Sequence, residues 1–340
     1  MPTELKIITA QELQETNPQP PQFIIDQILP AGFVVFAAPP KYGKSWLCLS
    51  IADAVVDGQP FWGFQTSRGS VLYLALEDSG YRLNSRLKGI GSRMPGNFFF
   101  SFQADRIGNG LIDQLKGWAD KHPDAKLIII DTIARIKGAG IKGLNAYESD
   151  TLMFSPLQQF AITRGICILG IFHFSKTKNI QIDDPFERIS GSTGALGVAD
   201  AAWILYGKRG EDQTLRTTGR DIDDASYSVR FKDSTWKLLG DTESLEKQAA
   251  IDEYKRSPLV KVIRSLIREQ NYWEGSAAEL MNEIWKREKS APFKSKQELG
   301  KQLNKYRQLL EETDGIAFYK NPGGRKGRDY RFSSRSANLI

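Results

Sequence analysis

The stretch FVVFAAPPKYGKSWLCLSIADAVV, Phe33 to Val56, is a strand, a turn and a helix in that order. Its first part, with Gly32 in front, is a continuous apolar run rich in β-branched and aromatic residues, the pattern of a strand covered on both faces. The helix begins near Lys44. Between them, Ala38 to Ser45 (APPKYGKS) satisfies the phosphate-loop pattern GxxxxGK[ST] at every fixed position except the first, where alanine replaces glycine. In this motif the backbone N–H groups and the helix amino terminus face the phosphates. Lys44 is expected to reach the β- and γ-phosphates of ATP, and Ser45 to offer a hydroxyl to Mg²⁺. Gly43 keeps the position where backbone approaches phosphate closely. The expected cradle is Ala38, Pro39, Pro40, Lys41, Tyr42, Gly43, Lys44, Ser45 and Trp46.

Working outward, further apolar runs follow: SVLYLALE (70–77), FFFSFQ (98–103), AKLIIID (125–131), GICILGIFHF (165–174) and AAWILYG (201–207). Helical patterns separate them, so the expected fold class is α/β, a P-loop core with a mostly parallel sheet. QTLRTTGRDIDD and YSVRFKDSTWKLLG, after residue 208, have the character of antiparallel strands extending one edge. Three runs end in a group able to do chemistry. Asp131 closes a run of four apolar residues and is expected to share the Mg²⁺ with Ser45. Glu77 is placed to polarise a water for in-line attack, a general-base role; Asp78 competes for that role but also suits a helix N-cap before SGYRLNSRL. His173 stands at the carboxyl edge, where ligands of open α/β sheets bind. Lys176, Lys178 and Arg188 follow in a loop of mixed charge and small residues, which reads either as a solvated loop or as one against which a strand of nucleic acid lies.

This set resembles the RecA-like hexameric ATPases and, within them, the RepA-type replicative helicases of plasmids and related mobile elements. The resemblance covers roughly residues 22 to 235 and rests on APPKYGKS, YLALED, LIIIDT, HFSKTK and RISGSTGALGVAD. It implies that Glu77 is the catalytic glutamate, Asp131 the metal-side aspartate and His173 the γ-phosphate sensor. It also implies that Arg220, in RTTGRD, is an arginine finger reaching a neighbouring subunit's nucleotide; Arg209, in YGKRG, is the rival, with Lys208 as companion. The chain departs from the family pattern at Ala38, and has one histidine at the sensor position where many relatives have two.

The 340 residues carry a net charge of +6, unevenly distributed. Residues 256–340 hold 18 Lys/Arg against 10 Asp/Glu, a local +8, and the rest of the chain sums to −2. That tail contains three amphipathic stretches, LVKVIRSLIREQ, AAELMNEIWKRE and SKQELGKQLNKYRQLLEET, and then a hairpin pattern around Asn321-Pro-Gly-Gly. Three helices and a basic two-stranded wing are the makings of a winged-helix domain, with Lys301, Lys305 and Arg307 on a helix face and Lys320, Arg325, Lys326, Arg328 and Arg331 on the wing. Such a cluster supplies salt-dependent phosphate contacts to duplex or forked DNA, or else docks a protein partner. The expected organisation is an amino-terminal arm (1–22), an ATPase core (23–240), a charged linker (241–257) and a winged-helix domain (258–335).

No run approaches the roughly 20 apolar residues that span a bilayer, and the amino terminus lacks the layout of a signal peptide, so a cytoplasmic location is expected. Cys48 and Cys167, the two cysteines, both lie in apolar runs and are expected as buried thiols. The expected activity is ATP-driven movement on single-stranded DNA by a homo-oligomer, a hexamer by the resemblance. Two rivals stand beside it: an ATPase switch that regulates assembly on DNA without unwinding, and a metabolic P-loop kinase indifferent to DNA.

Overall fold

A computed structural model describes residues 7–138, 140, 142–174, 186, 189, 193–321 and 329–334. The chain divides into two compact units, Met1–Thr242 and Glu243–Ile340.

In the first unit a short capped helix, α1 (Ala10–Glu15), lies in a segment, residues 7–22, whose side chains are all exposed. A small hairpin follows, β1 (Phe23–Ile25) and β2 (Leu29–Pro30). The core then runs β3 (Gly32–Ala38), α2 (Lys44–Asp57), β4 (Ser70–Ala75), α3 (Gly80–Ile90), β5 (Phe98–Ser101), α4 (Leu111–Lys121), β6 (Ala125–Asp131), α5 (Ile133–Ile136), α6 (Ala146–Arg164), β7 (Cys167–His173), α7 (Thr193–Val198), β8 (Ala201–Gly207), β9 (Gln213–Gly219), β10 (Ala225–Lys232) and β11 (Thr235–Asp241). Nine strands form one sheet in the order β11-β10-β9-β8-β3-β7-β6-β4-β5. From β8 to β5 every pairing is parallel, and β9, β10 and β11 extend the edge antiparallel.

The unbroken apolar character of β3 has a simple cause. Val34, Phe36 and Ala38 pack on one face with Leu47, Cys48 and Ile51 of α2 and Leu83 of α3. Phe33, Val35 and Ala37 pack on the other with Leu111 and Leu115 of α4 and Phe154 and Leu157 of α6. Both faces are therefore dry, as a parallel sheet between helix layers requires. The strand order also sets the place for a ligand. β3 sits between β7 and β8, while the chain leaving it passes through α2 to β4, beyond β7 and β6. That reversal opens a crevice at the carboxyl ends of β3 and β7, the usual binding position in such sheets.

The second unit begins with α8 (Thr242–Arg256), in the segment expected as a linker. Its charges hide one anchor: Tyr254 is fully buried in the second unit's core, and its hydroxyl donates to Asp314. Then come α9 (Pro258–Gln270), β12 (Tyr272–Gly275), α10 (Ala277–Glu288), α11 (Lys296–Asp314), β13 (Ile316–Lys320) and β14 (Tyr330–Ser334). Leu299, Leu303, Tyr306 and Leu310 recur at helical spacing and bury one side of α11, leaving Lys301, Lys305 and Arg307 exposed. Lys305 is held by Glu253 at 2.6 Å. The three strands form an antiparallel sheet in the order β12-β14-β13. Lys320 and Arg331 are exposed on it; Arg325, Lys326 and Arg328 lie outside the described residues. Among the described residues no helix is long and apolar enough to cross a membrane.

Candidate nucleoside triphosphate site

Ala38 is the last residue of β3, fully buried, and is absent from the left-handed backbone positions. An extended residue does not need to be glycine, so the departure from the motif costs the loop nothing in conformation. The left-handed turns fall instead at Lys41 (φ 66°) and Gly43 (φ 78°). Gly43 is doubly constrained, because a Cβ there would also lie 3.0 Å from the Trp236 ring. The loop is tied on two sides: the Trp236 indole N–H donates to the Gly43 carbonyl (3.1 Å), and the Tyr42 hydroxyl donates to the Gly207 carbonyl (3.1 Å). Gly43 caps α2 without any side-chain hydrogen bond, which leaves first-turn N–H groups for an anion.

Lys44 is buried, and its ammonium donates to the carbonyls of Ala38 (2.8 Å) and Pro39 (3.0 Å). Burial lowers its pKa to about 8 against the opposing pull of Asp131, Cys48 and Glu77. Below that pH the free protein carries the charge that a phosphate needs. Above it, binding must take up a proton. The dissociation constant for ADP is therefore expected to be flat up to about pH 8 and then to rise by up to about tenfold per pH unit. Calorimetric titration between pH 7 and 9.5 measures this, and a flat profile would refute a proton-linked Lys44.

Asp131 ends β6, 8% exposed, and one carboxylate oxygen accepts from Ser45 Oγ (2.8 Å) and Tyr73 OH (2.7 Å). Burial raises its pKa, while those two hydrogen bonds and Lys44 oppose the rise. Burial likewise pushes the Tyr73 phenol up, so it remains a donor. Ser45 and Asp131 supply two adjacent oxygens, and among the described residues no cluster of three or more His, Cys, Asp or Glu forms a cage. That donor set fits Mg²⁺, which is commonly held by one or two protein oxygens together with phosphates and water.

Glu77 lies two residues beyond the end of β4, in the turn rather than on the strand itself. Its Oε1 accepts from Arg135 Nε (3.1 Å) and Thr132 Oγ1 (3.3 Å), and its Oε2 is 3.9 Å from His173 Nε2. His173 ends β7 directly opposite Ala38, and its Nδ1 is buried without a hydrogen-bond partner among the described residues. Asp78 is not the N-cap: Ser79 caps α3, and Asp78 pairs with Arg82 (2.5 Å) and Arg86. The loop, Glu77, Asp131 and His173 thus share one cleft of about 670 Å³, which Arg86, Arg209 and Phe231 also line.

The two candidate arginines separate cleanly. β8 runs parallel to β3, which puts Arg209 at the phosphate-loop edge. β9 returns antiparallel, with Gly219 opposite Ala201, so Arg220 lies at the other edge. There its guanidinium donates to the Gly197 carbonyl (3.1 Å) and stands 3.9 Å from Asp200. Tyr73, Thr132 and Arg135 support the carboxylates without any local signal in the sequence, since each contact depends on strand or turn placement. Lys176, Lys178 and Arg188 lie outside the described residues.

The family profile of the AAA domain matches residues 2–179, and the chain belongs to that family. None of the curated proteins matches it. Among solved structures it is similar to the ATPase domain of G40P, with 16% identity and a TM-score of 0.52 over 62% of this chain and 85% of that one. It is also similar to a DnaB-like replicative helicase, in a structure concerned with its interactions with primase: 14% identity and a TM-score of 0.49 over 61% of this chain and 58% of that one. The first likeness shows the fold of the α/β core, which is RecA-like; the carboxyl-terminal residues form a separate, smaller unit.

Proposed function

We propose that the chain is an ATP-driven motor on single-stranded DNA that works as a ring oligomer, with hydrolysis completed between subunits. One observation carries this: Lys44, Ser45, Asp131, Glu77 and His173 converge in one cleft, while Arg220 lies at the opposite sheet edge, out of reach of its own chain's loop. Lys44 and the α2 amino terminus hold the phosphates. Ser45 and Asp131 hold Mg²⁺, which when bound neutralises phosphate charge. Glu77, steadied by Thr132 and Arg135, orients the attacking water. His173, within reach of Glu77, connects the γ-phosphate position to the segment after β7, where the DNA contact is proposed. Arg220 acts on the neighbouring subunit's nucleotide.

After α8, the second unit's order of helix, strand, two helices and two strands supports a winged-helix assignment. Its exposed Lys301, Arg307, Lys320 and Arg331 favour a contact with duplex or forked DNA. The expected result is ATPase activity stimulated by single-stranded DNA, multimeric mass under the same conditions, and displacement of a strand from a forked duplex. Binding to the fork without displacement would replace the motor with an assembly switch, and turnover indifferent to DNA would sink both.

A further inference from the structure

We propose that the outer face of the β12-β14-β13 sheet is a platform for single-stranded DNA: Tyr272 and Tyr319 stack on unpaired bases, and Arg331 between them takes the linking phosphate. This rests on the nucleic-acid reading of the second unit and adds a contact distinct from the duplex one given above. Alternation along the strands sorts the aromatic residues of this sheet into two sets. Phe318 and Phe332 are buried in the second unit's core, their rings stacked with centroids 5.2 Å apart, and the Trp273 ring packs there too, 5.9 Å from that of Phe332. Tyr272, Tyr319 and Arg331 fall on the opposite face. Tyr272 is 42% exposed, Tyr319 45%, and the Arg331 side chain 44%. The core has its own aromatic residues, so burial does not account for the outer pair.

Register brings the three together. Arg331, on the middle strand, is paired with Tyr319 on one side and Glu274 on the other, and Tyr272 lies two residues before Glu274 on the same face. The Arg331 guanidinium is 5.8 Å from the Tyr272 ring centre. Two strand spacings of about 4.8 Å and two residue steps of about 3.4 Å set the tyrosines on the order of 12 Å apart, which leaves room for two bases with their phosphate near Arg331. Tyr272 is already oriented, because its hydroxyl donates to Glu274 at 2.5 Å, so binding need not order that ring. Glu274 puts an acid on this face, yet its side chain is only 15% exposed, and Tyr272, the Asn321 amide (3.4 Å) and Arg331 (3.7 Å) surround its carboxylate. Its charge is met within the protein. The segment 256–340 holds 18 Lys/Arg against 10 Asp/Glu, so a polyanion is the complementary occupant. Open rings select the single-stranded form: duplex bases cover one another's faces, whereas an unpaired base offers its face to an aromatic side chain.

The test measures the full chain, without nucleotide, against oligothymidylate and against an abasic oligonucleotide of the same length, which keeps the phosphates and lacks the bases. Tyr272→Ala and Tyr319→Ala should each weaken oligothymidylate about 5- to 150-fold, the size of one base–aromatic stack, and leave the abasic strand unchanged. Tyr272→Phe and Tyr319→Phe should retain most of the affinity. Oligothymidylate carrying 5-iododeoxyuridine should photocrosslink to the peptides that hold Tyr272 or Tyr319, which locates the strand independently of any contact in the first unit. Unchanged affinity in both alanine variants, or crosslinks confined to the first unit, would overturn the platform and leave this face to a protein. An equal loss for the abasic strand would also overturn it, by making the tyrosines supports of a phosphate contact. A wild-type chain that binds neither strand would instead overturn the nucleic-acid reading of the second unit, and the platform with it.

Discussion

Glu77→Gln is expected to lower the ATP turnover rate by about 10²- to 10⁴-fold while leaving nucleotide affinity nearly unchanged. The carboxamide has the same shape, and its oxygen can still accept from Thr132 and Arg135, the two donors on Glu77 Oε1. What it lacks is a second oxygen able to take the proton of a water. Affinity should survive because Lys44, Ser45 and Asp131 make no hydrogen bond to Glu77. Single-turnover hydrolysis beside equilibrium binding separates the two effects. A parallel loss of both would make Glu77 a structural partner of Arg135 and Thr132, and a general base would have to be sought elsewhere in the cleft.

How much of this could be read from the chain follows from the range of each interaction. The six parallel strands and their crossover helices are local patterns, and so is the loop, because strand, turn and helix adjoin in sequence. Ala38 could be misjudged as a defect only while its backbone angles were unknown. The contacts that tune the site are different in kind. Tyr73 meets Asp131 because β4 pairs with β6, and Arg135 meets Glu77 because the turns after those two strands lie side by side; neither is encoded within one segment. β12 is not legible in the sequence because its four residues carry too short an alternation. Residues 241–257 read as a linker because the one buried tyrosine of α8, set among charges, gives no helical stripe. The arginines illustrate the same limit: eleven residues apart in sequence, Arg209 and Arg220 fall at opposite sheet edges because a strand reverses between them.

That separation makes the last prediction sharp. Arg220→Ala is expected to reduce turnover by about 10³- to 10⁵-fold, the range for an arginine that stabilises a transferring phosphoryl group. Its side chain is 58% exposed and, among the described residues, bonded only to the Gly197 carbonyl and, at 3.9 Å, to Asp200, so the fold should tolerate the change; a melting curve checks this. Mixing is the decisive measurement. In a ring of heterologous interfaces, an Arg220→Ala subunit retains its own Glu77, and a Glu77→Gln neighbour can supply an intact Arg220. Random mixing at equal ratio gives about a quarter of interfaces with both groups, and activity should recover there although each variant alone is nearly inactive. Arg209 behaves oppositely if it acts within its own chain, where it lines the same cleft as Glu77. An Arg209→Ala subunit lacks the arginine in every cleft that keeps its glutamate, so mixing with Glu77→Gln restores nothing. Recovery with Arg220→Ala alone assigns the finger to Arg220 in trans. No recovery at any ratio, with mixed assembly confirmed by mass, would remove Arg220 from the neighbouring site and with it the claim that hydrolysis is completed between subunits.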